Sequence, residues 1–264
     1  MEPDNVADYS KQEYWDTRYT TEAEFDWFTT VYAHSLERVL DLLMEQCRNR
    51  RALLSSATLS TLTPTDPIRV LHLGCGNSRL CTDIAERWTT TPGLAKVGNE
   101  GGDDATLLRL DQVALDYSPV VIERMAAANA NVQPSIHWAV DDVRTLTTVA
   151  DHSVDLVIDK GTMDALQADK ENDDMDEDIE RMMHQVSRVM RQAPVATSSS
   201  TDNTEATATA AAAAFVQFTW EIPYYRLHHT KRAEYAWGKS PDTSISHGFL
   251  GESDLYRWFV YKAL

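Results

Sequence analysis

Two glycines stand at a turn whose position suits the binding of a ligand. The stretch IRVLHLGCGNSRLCTDIAERW (68–88) places Gly74 and Gly76 between an apolar run and a helical pattern. Glycine lets the backbone bend sharply and leaves no Cβ in the way of a ligand. A purely structural turn explains a bare Gly-x-Gly equally well. The dinucleotide fingerprint G-x-G-x-x-G is incomplete, because Arg79 stands where its third glycine would be. This departure disfavours a nucleotide-dependent oxidoreductase.

Two acidic residues stand at the ends of later apolar segments, as the glycine turn stands at the end of the first one. Asp116, in the segment VALDYS, lies at the end of the second predicted strand, where a carboxylate can accept both hydroxyls of a ribose. Asp142 follows the next apolar segment, where it could bind an adenine amino group. Taken alone, each acid is explained as a solvated loop residue. Together, at the ends of successive strands, they outline a nucleoside site without phosphates.

Alternating elements would bring these residues to one edge of a sheet. Strands are predicted at 68–73, 112–117, 135–140, 153–160, 215–220 and 255–263, and helices at 33–50, 79–88, 119–129 and 177–191. Strands that alternate with helices indicate a parallel sheet covered on both faces. The last two strands could pair as an antiparallel edge. Ligands of such sheets bind beyond the carboxyl ends of the strands, where both glycines and both acids are expected.

The length fits a single α/β domain over residues 1–264. Three segments depart from its regular pattern. An aromatic-rich segment covers residues 1–32, a polar surface insertion is expected at 89–110, and a low-complexity insertion at 194–214 is expected to be disordered.

Charge and cysteine content exclude several functional classes. The net charge of −17 disfavours binding to nucleic-acid backbones and suits a basic partner. No window approaches the ~18 apolar residues of a membrane helix, and the first residues carry neither a signal nor a transit pattern. The three cysteines form neither a disulfide framework nor a zinc site. We therefore expect a cytoplasmic, monomeric protein without a bound metal or membrane partner.

The order of the motifs resembles a known enzyme family. LGCGNS, VALDYS, DDVR and LVIDKGTMDAL look like the class I S-adenosylmethionine-dependent methyltransferases. The resemblance implies a Rossmann-like α/β fold: a mostly parallel seven-stranded sheet with an antiparallel C-terminal edge and helices on both faces. More narrowly, EYWDTRY, FDWF and DKGTMDAL resemble the group that methylates lysines of translation elongation factor 1A, which includes the methyltransferase domain associated with endothelin-converting enzyme. The similarity runs from about Tyr14 to Val189 and resumes at Phe215.

The resemblance implies roles for ten residues around S-adenosylmethionine. They are Trp15, Tyr19, Trp27, Gly74, Gly76, Asp116, Tyr117, Asp142, Val143 and Lys160. The three N-terminal aromatics would close over the cofactor, and the two glycines would approach its methionine part. Asp116 and Tyr117 would hold the ribose and flank the adenine. Asp142 and Val143 would bind the adenine edge, and Lys160 would lie beside the cofactor. An N-terminal helix packed on the core is the alternative explanation of the aromatics.

Two further acids flank the loop sequence KGTM. A lysine acceptor is mostly protonated at neutral pH and must lose a proton before it attacks. Asp159 and Asp164 are placed where a catalytic proton acceptor would be, with Asp159 expected to line the acceptor channel. Capping of the next helix explains Asp159 equally well. Further along, Trp220, Tyr224 and Tyr225 could form a lysine-facing wall by cation–π contact or could serve in packing.

The leading hypothesis is a protein-lysine N-methyltransferase that acts on elongation factor 1A or a similar basic protein. The acidic run at 169–180 is either a solvated face or a surface that attracts a Lys-rich protein. A small-molecule methyltransferase is one alternative, because motifs for a cofactor say little about the acceptor. A catalytically silent scaffold that binds S-adenosylmethionine is another.

Overall fold

A sheet of seven strands organises the structure, a computed structural model that describes residues 2–55, 66–95, 108–192 and 213–263. The strands are β1 (Ile68–Leu73), β2 (Leu110–Asp116), β3 (Ile136–Val140), β4 (Leu156–Lys160), β5 (Ala214–Thr219), β6 (Ile245–Phe249) and β7 (Arg257–Lys262). They lie in the order β3-β2-β1-β4-β5-β7-β6. The first five pair in parallel, and β7 runs antiparallel between β5 and β6. The predicted sheet, mostly parallel with an antiparallel C-terminal edge, is confirmed.

Helices flank the sheet and precede it. The α-helices of the described ranges are α1 (Gln12–Thr21), α2 (Tyr32–Ser55), α3 (Leu80–Thr90), α4 (Pro119–Ala128), α5 (Thr162–Leu166), α6 (Met175–Val189), α7 (Pro223–Thr230) and α8 (Pro241–Ser244). Short 3-10 helices cover Val6–Ser10 and Thr29–Val31. Across these ranges, every helix is too short or too polar to cross a membrane.

The alternation of side chains along a buried strand explains why helices cover both faces. In β1, Val70 packs in a cluster with Val39 of α2. The next residue, Leu71, packs instead with Met182 and Val186 of α6. Because successive side chains of a strand point to opposite faces, one strand contributes to two cores. The apolar face of α6, predicted from its helical spacing, is fully buried in the second of these cores.

The winding of the sheet reverses between β1 and β4. The chain passes from β1 outward to β2 and β3, then returns to place β4 and β5 on the other side of β1. At such a reversal, the loops after neighbouring strands separate and leave a crevice at the carboxyl ends. The turn after β1, the end of β2 and the loop after β4 therefore meet at one edge.

The surface insertion predicted at 89–110 begins later and ends earlier than expected. Helix α3 continues to Thr90, and β2 already begins at Leu110. The Leu108 N–H donates to the Ala95 carbonyl at 3.0 Å, so the chain returns next to the point at which it leaves. Residues 96–107 of the insertion lie outside the described residues.

The low-complexity segment predicted at 194–214 extends too far, because its last residue belongs to β5. Ala214 is the first residue of β5, and its N–H donates to the Asp155 carbonyl at 3.0 Å. Its small side chain fits a fully buried position of an internal strand. Residues 194–212 lie outside the described residues, so the expectation of disorder stays a prediction.

Candidate functional site

A cavity with about 820 Å³ of empty space opens at the carboxyl ends of β1, β2 and β4. All ten residues that the sequence predicts for a cofactor site line it, from Trp15 to Lys160. They come from the N-terminal segment, the glycine turn and the loops after β2, β3 and β4. The structure therefore brings together residues that are up to 145 positions apart in the chain. Their individual roles stay predictions.

The glycine turn is required by the protein's own neighbours. Gly74 and Gly76 have φ angles of 56° and 51°, in the left-handed region that favours glycine. A Cβ at Gly74 would lie 2.4 Å from Thr162 Oγ1, and one at Gly76 would lie 2.9 Å from Tyr19 Oη. Thr162 in turn donates to the carbonyl of Leu73 at 2.8 Å. The loop after β4 and helix α1 thus pack directly on the turn, whichever ligand the cavity binds.

Asp116 is buried at the end of β2 and faces the same turn. Its two carboxylate oxygens accept the backbone N–H groups of Gly76 and Ser118, each at 3.0 Å. Burial raises the pKa of Asp116 to about 6, and the nearby Asp16 adds to the rise, although the two backbone donors oppose it. Each carboxylate oxygen can accept more than one hydrogen bond. Asp116 therefore retains capacity for hydroxyl donors in the cavity.

The loop after β3 is organised by two adjacent acids with different tasks. Asp141 accepts hydrogen bonds from the N–H and hydroxyl of Thr148 at 2.8 and 2.6 Å, which fixes the loop. Asp142 is held by the guanidinium of Arg144, with Nε and Nη2 at 2.9 and 2.6 Å. Burial would raise the pKa of Asp142, but the hydrogen bonds and charge of Arg144 hold it below its ordinary value. Asp142 thus lies in the cavity wall as a paired carboxylate.

The N-terminal aromatics form one side of the cavity and also pack on the domain. Trp15 stacks on Tyr19 with ring centroids 5.6 Å apart, and Trp27 meets Trp15 edge-on at 6.0 Å. Trp15 and Tyr19 also bury against α4, next to Val121. Covering the cavity and packing on the core, two alternatives for the sequence, are therefore compatible. The guanidinium of Arg18 lies within this group, 4.0 Å from the Phe25 ring centroid.

Lys160 joins the N-terminal segment to the end of β4. Its Nζ lies 2.9 Å from Asp26 Oδ2, and both side chains are largely buried. The same carboxylate oxygen accepts the Ser78 hydroxyl at 2.8 Å. Asp26 therefore links β4 to the glycine turn, and Lys160 lines the cavity as a paired cation.

The two acids predicted to be catalytic lie behind the cavity wall. Asp159 is 2% exposed and accepts the Thr162 N–H at 2.8 Å and the Gln217 amide at 2.9 Å. It thus holds the start of α5, which was the alternative explanation, and burial raises its pKa. Asp164 accepts hydrogen bonds from Thr219 and the buried Arg226. Neither acid lines the cofactor cavity, so the catalytic role of each stays a prediction.

Sequence reasoning missed several residues that line the cavity. They include Tyr9, Phe25, Asp141, Arg144, Gly161 and Thr162. Thr162 had a visible signal, because it belongs to the KGTM motif that was already singled out. Arg144 follows Asp142 by two positions, but its pairing depends on the fold of the loop. Tyr9 had no signal, since its position above the cavity depends on where the N-terminal segment folds back.

The chain is similar to several known proteins. Residues 64–260 match a family described as a methyltransferase domain. The chain is 26% identical over 268 residues to the EEF1A lysine methyltransferase 4 of Bos taurus, covering 98% of this chain and 78% of the relative. It is 28% identical over 250 residues to the Mus musculus protein of that name, covering 94% and 75%. A solved structure, a SAM-dependent methyltransferase from Leishmania major, aligns at 15% identity over 99% of this chain and 87% of its own, with a TM-score of 0.45.

Proposed function

The chain belongs to this methyltransferase-domain family, as a class I S-adenosylmethionine-dependent methyltransferase, and on that premise we propose that it methylates a lysine side chain of a basic protein. Translation elongation factor 1A is the best candidate substrate. One observation supports the methyl-transfer part of the proposal: a single cavity gathers all ten residues expected around the cofactor. The two relatives named for lysine methylation of EEF1A align with 94% or more of the chain, which supports the choice of acceptor.

The residues around the cavity suit S-adenosylmethionine. The buried carboxylate of Asp116 can accept ribose hydroxyls, and Tyr117 and Val143 supply apolar surface for a base. The bound cofactor would supply an electrophilic methyl group on a sulfonium.

Positioning accounts for most of what the protein must do in this reaction. A methyl group on a sulfonium would pass directly to an acceptor nitrogen, so the protein would need no nucleophile of its own and would have to bind and orient the two reactants. Alignment of the nitrogen with the methyl group supplies much of the acceleration. Trp15, Tyr19 and Trp27 line the cavity and would exclude water from the bound reactants.

The acceptor lysine must also lose a proton before it attacks. An unperturbed lysine has a pKa of about 10.4, and burial beside a cationic sulfonium favours the neutral amine. Asp164 is the better placed of the two candidate proton acceptors, because it borders a neighbouring cavity. Burial raises its pKa toward neutrality, against the opposing effect of Arg226, which suits a general base.

Binding and transfer experiments test this proposal in sequence. We expect isothermal titration to give micromolar binding of S-adenosylmethionine and S-adenosylhomocysteine, no binding of NADH, and loss of both signals in Asp116→Ala. Purified elongation factor 1A should then accept a radiolabelled methyl group, and mass spectrometry should place it on lysine. Failure of both cofactors to bind would overturn the proposal.

A different acceptor would give a distinct result. Binding of the cofactor with transfer only to small amines or carboxylates would support the small-molecule alternative. Binding without transfer to any fraction of a cell lysate would support the silent scaffold.

A further inference from the structure

A second cavity adjoins the first. It contains about 860 Å³ of empty space and is lined in part by α5 and by the turn after β5. Tyr9, Trp27, Gly161 and Ala165 line both cavities. These four residues therefore form a wall that the two cavities share, next to the loop KGTM.

Two residues that line this second cavity each carry a buried side-chain oxygen without a hydrogen-bond partner. These oxygens are Asp164 Oδ2 and Gln167 Oε1, both on residues that are 6% exposed. A buried acceptor left unpaired is unfavourable, and native proteins keep few of them. A ligand that satisfies both oxygens must donate at least two hydrogen bonds. An ammonium group, with three N–H donors and no acceptor, has that chemistry.

The aromatic lining also suits a cation. Trp27 and Trp220 both line the cavity, and their ring centroids lie 5.8 Å apart. Tryptophan is the aromatic residue that attracts an ammonium most strongly through its ring face. Glu221 adds a carboxylate to the lining, and the single basic lining residue, Lys170, is exposed.

The surface around the cavity differs on its two sides. Directly after Trp220 and Glu221, the chain exposes Tyr224 and Tyr225, which are 79% and 55% exposed. Packing, one of the two sequence expectations for these tyrosines, is therefore wrong for both. On the other side, Lys170 leads into the exposed acids of the 171–177 stretch. Exposed tyrosines and exposed acids thus follow two lining residues, Glu221 and Lys170, in the chain.

We propose that the second cavity admits a lysine side chain from a basic segment of the substrate protein. Asp164 and Gln167 receive the ammonium, Trp27 and Trp220 flank the alkyl stem and the charge, and the shared wall gives the nitrogen access to the first cavity. The exposed tyrosines and the acidic stretch hold the surrounding segment. This assignment rests on the proposed lysine methylation for its purpose, although the site itself can be tested by binding alone.

The test uses fluorescein-labelled hexalysine, with hexaarginine as a probe of equal charge that offers guanidinium instead of ammonium. Fluorescence anisotropy is measured with and without S-adenosylhomocysteine, whose own affinity is determined by calorimetry. The variants are Trp220→Ala, Gln167→Leu and Asp164→Asn. The matched control is Phe249→Ala, which removes an equally exposed aromatic ring from the edge strand β6.

We expect Trp220→Ala and Gln167→Leu to weaken hexalysine binding at least fivefold and hexaarginine binding by less than twofold. Phe249→Ala should change neither, and the affinity for S-adenosylhomocysteine should stay within twofold in every variant. Asp164→Asn also disturbs the ion pair with Arg226, so the two other variants keep the proposal testable if it fails to fold.

The outcomes separate this assignment from the proposed function. Unchanged hexalysine binding in Trp220→Ala and Gln167→Leu, with S-adenosylhomocysteine still bound, would overturn the lysine site. Equal weakening of both peptides would overturn it too, because the surface would then recognise charge alone. Selective loss of hexalysine binding in a protein that never binds S-adenosylhomocysteine would support the site and overturn the methyltransferase function.

Discussion

At the scale of single residues, the pKa of Asp116 predicts that binding at the proposed cofactor site depends on pH. Its pKa of about 6 belongs to the protein without ligand, and hydroxyl donors bind the ionised carboxylate better than the protonated acid. The affinity for S-adenosylmethionine should therefore be constant above pH 6 and fall as pH drops below it. We expect Asp116→Asn to weaken binding about 10- to 100-fold at pH 7.5 and to remove the pH dependence. Calorimetry at pH 7.5 and 5.5 measures both effects, and an unchanged slope in the variant would assign the titration to another group.

Gly76 is the residue at which backbone conformation and a neighbouring side chain act together. An alanine there would have a positive φ and a Cβ 2.9 Å from Tyr19 Oη. We expect Gly76→Ala to lower the free energy of unfolding by about 1–3 kcal/mol and to abolish binding of S-adenosylmethionine. Gly93→Ala is the matched control, because its φ is also positive but its Cβ would meet only the flexible end of Met44, outside the cofactor cavity. Binding retained by Gly76→Ala at full affinity would contradict this account.

At the scale of elements, one buried carboxylate fixes helix α2 and the start of β4 to the sheet. Asp155 accepts Arg50 Nη2 at 2.9 Å, Arg191 Nε at 2.8 Å and the Arg69 N–H at 2.8 Å. Removing one partner of a buried ion pair leaves the other charges uncompensated.

We expect Asp155→Ala to lower the free energy of unfolding by about 3–5 kcal/mol. Glu177→Ala, which breaks an exposed pair with Arg181, should cost less than about 1 kcal/mol. Urea unfolding measures both, and the affinity of folded Asp155→Ala for S-adenosylmethionine should be unchanged. Similar losses of unfolding free energy in the two variants would show that the contacts of Asp155 contribute no more stability than an exposed ion pair.

Strand β6, at the margin of the sheet, is one element that sequence reasoning missed. Strand β6 has the sequence ISHGF and no fully buried residue, so it lacks the apolar run that identified the other strands. It forms because β7 offers a free edge, and Trp258 of β7 packs over Gly248, where a Cβ would lie 2.9 Å from its ring. Helix α7 was also missed, since its apolar positions are interrupted by two exposed tyrosines. The internal strands β1 and β4 were located because burial on both faces leaves an apolar run in the sequence.

At the scale of the whole molecule, the net charge of −17 should govern the approach of the substrate. Attraction between a strongly acidic protein and a basic one is screened by salt over about 8–10 Å at physiological ionic strength. We expect the KM for elongation factor 1A to rise several-fold between 50 and 300 mM NaCl, and the affinity for S-adenosylhomocysteine to change less than twofold. A KM independent of salt would exclude electrostatic steering.

The effect on KM of acids at one place on the surface can be separated from the effect of the net charge. The triple variant Glu171→Gln, Asp173→Asn, Asp174→Asn neutralises exposed acids beside the second cavity. Its matched control, Glu86→Gln, Glu123→Gln, Glu234→Gln, removes the same charge from other exposed positions. We expect the first variant to raise the KM at 50 mM NaCl more than the second. Equal effects would mean that net charge, and no local surface, attracts the substrate.

The sequence by itself determined the alternation of the internal strands with helices and ten of the residues that line the cofactor cavity. Buried parallel strands leave continuous apolar runs, and the residues that end them must meet at one edge, so the linear pattern alone places Asp116 beside the glycine turn. Tertiary structure decided what each polar group is free to do. Only the fold pairs Asp142 with Arg144, places Asp159 under α5, and leaves Asp164 Oδ2 and Gln167 Oε1 unpaired beside a second cavity. These outcomes depend on contacts between distant segments, for which a linear pattern of residue types carries no signal.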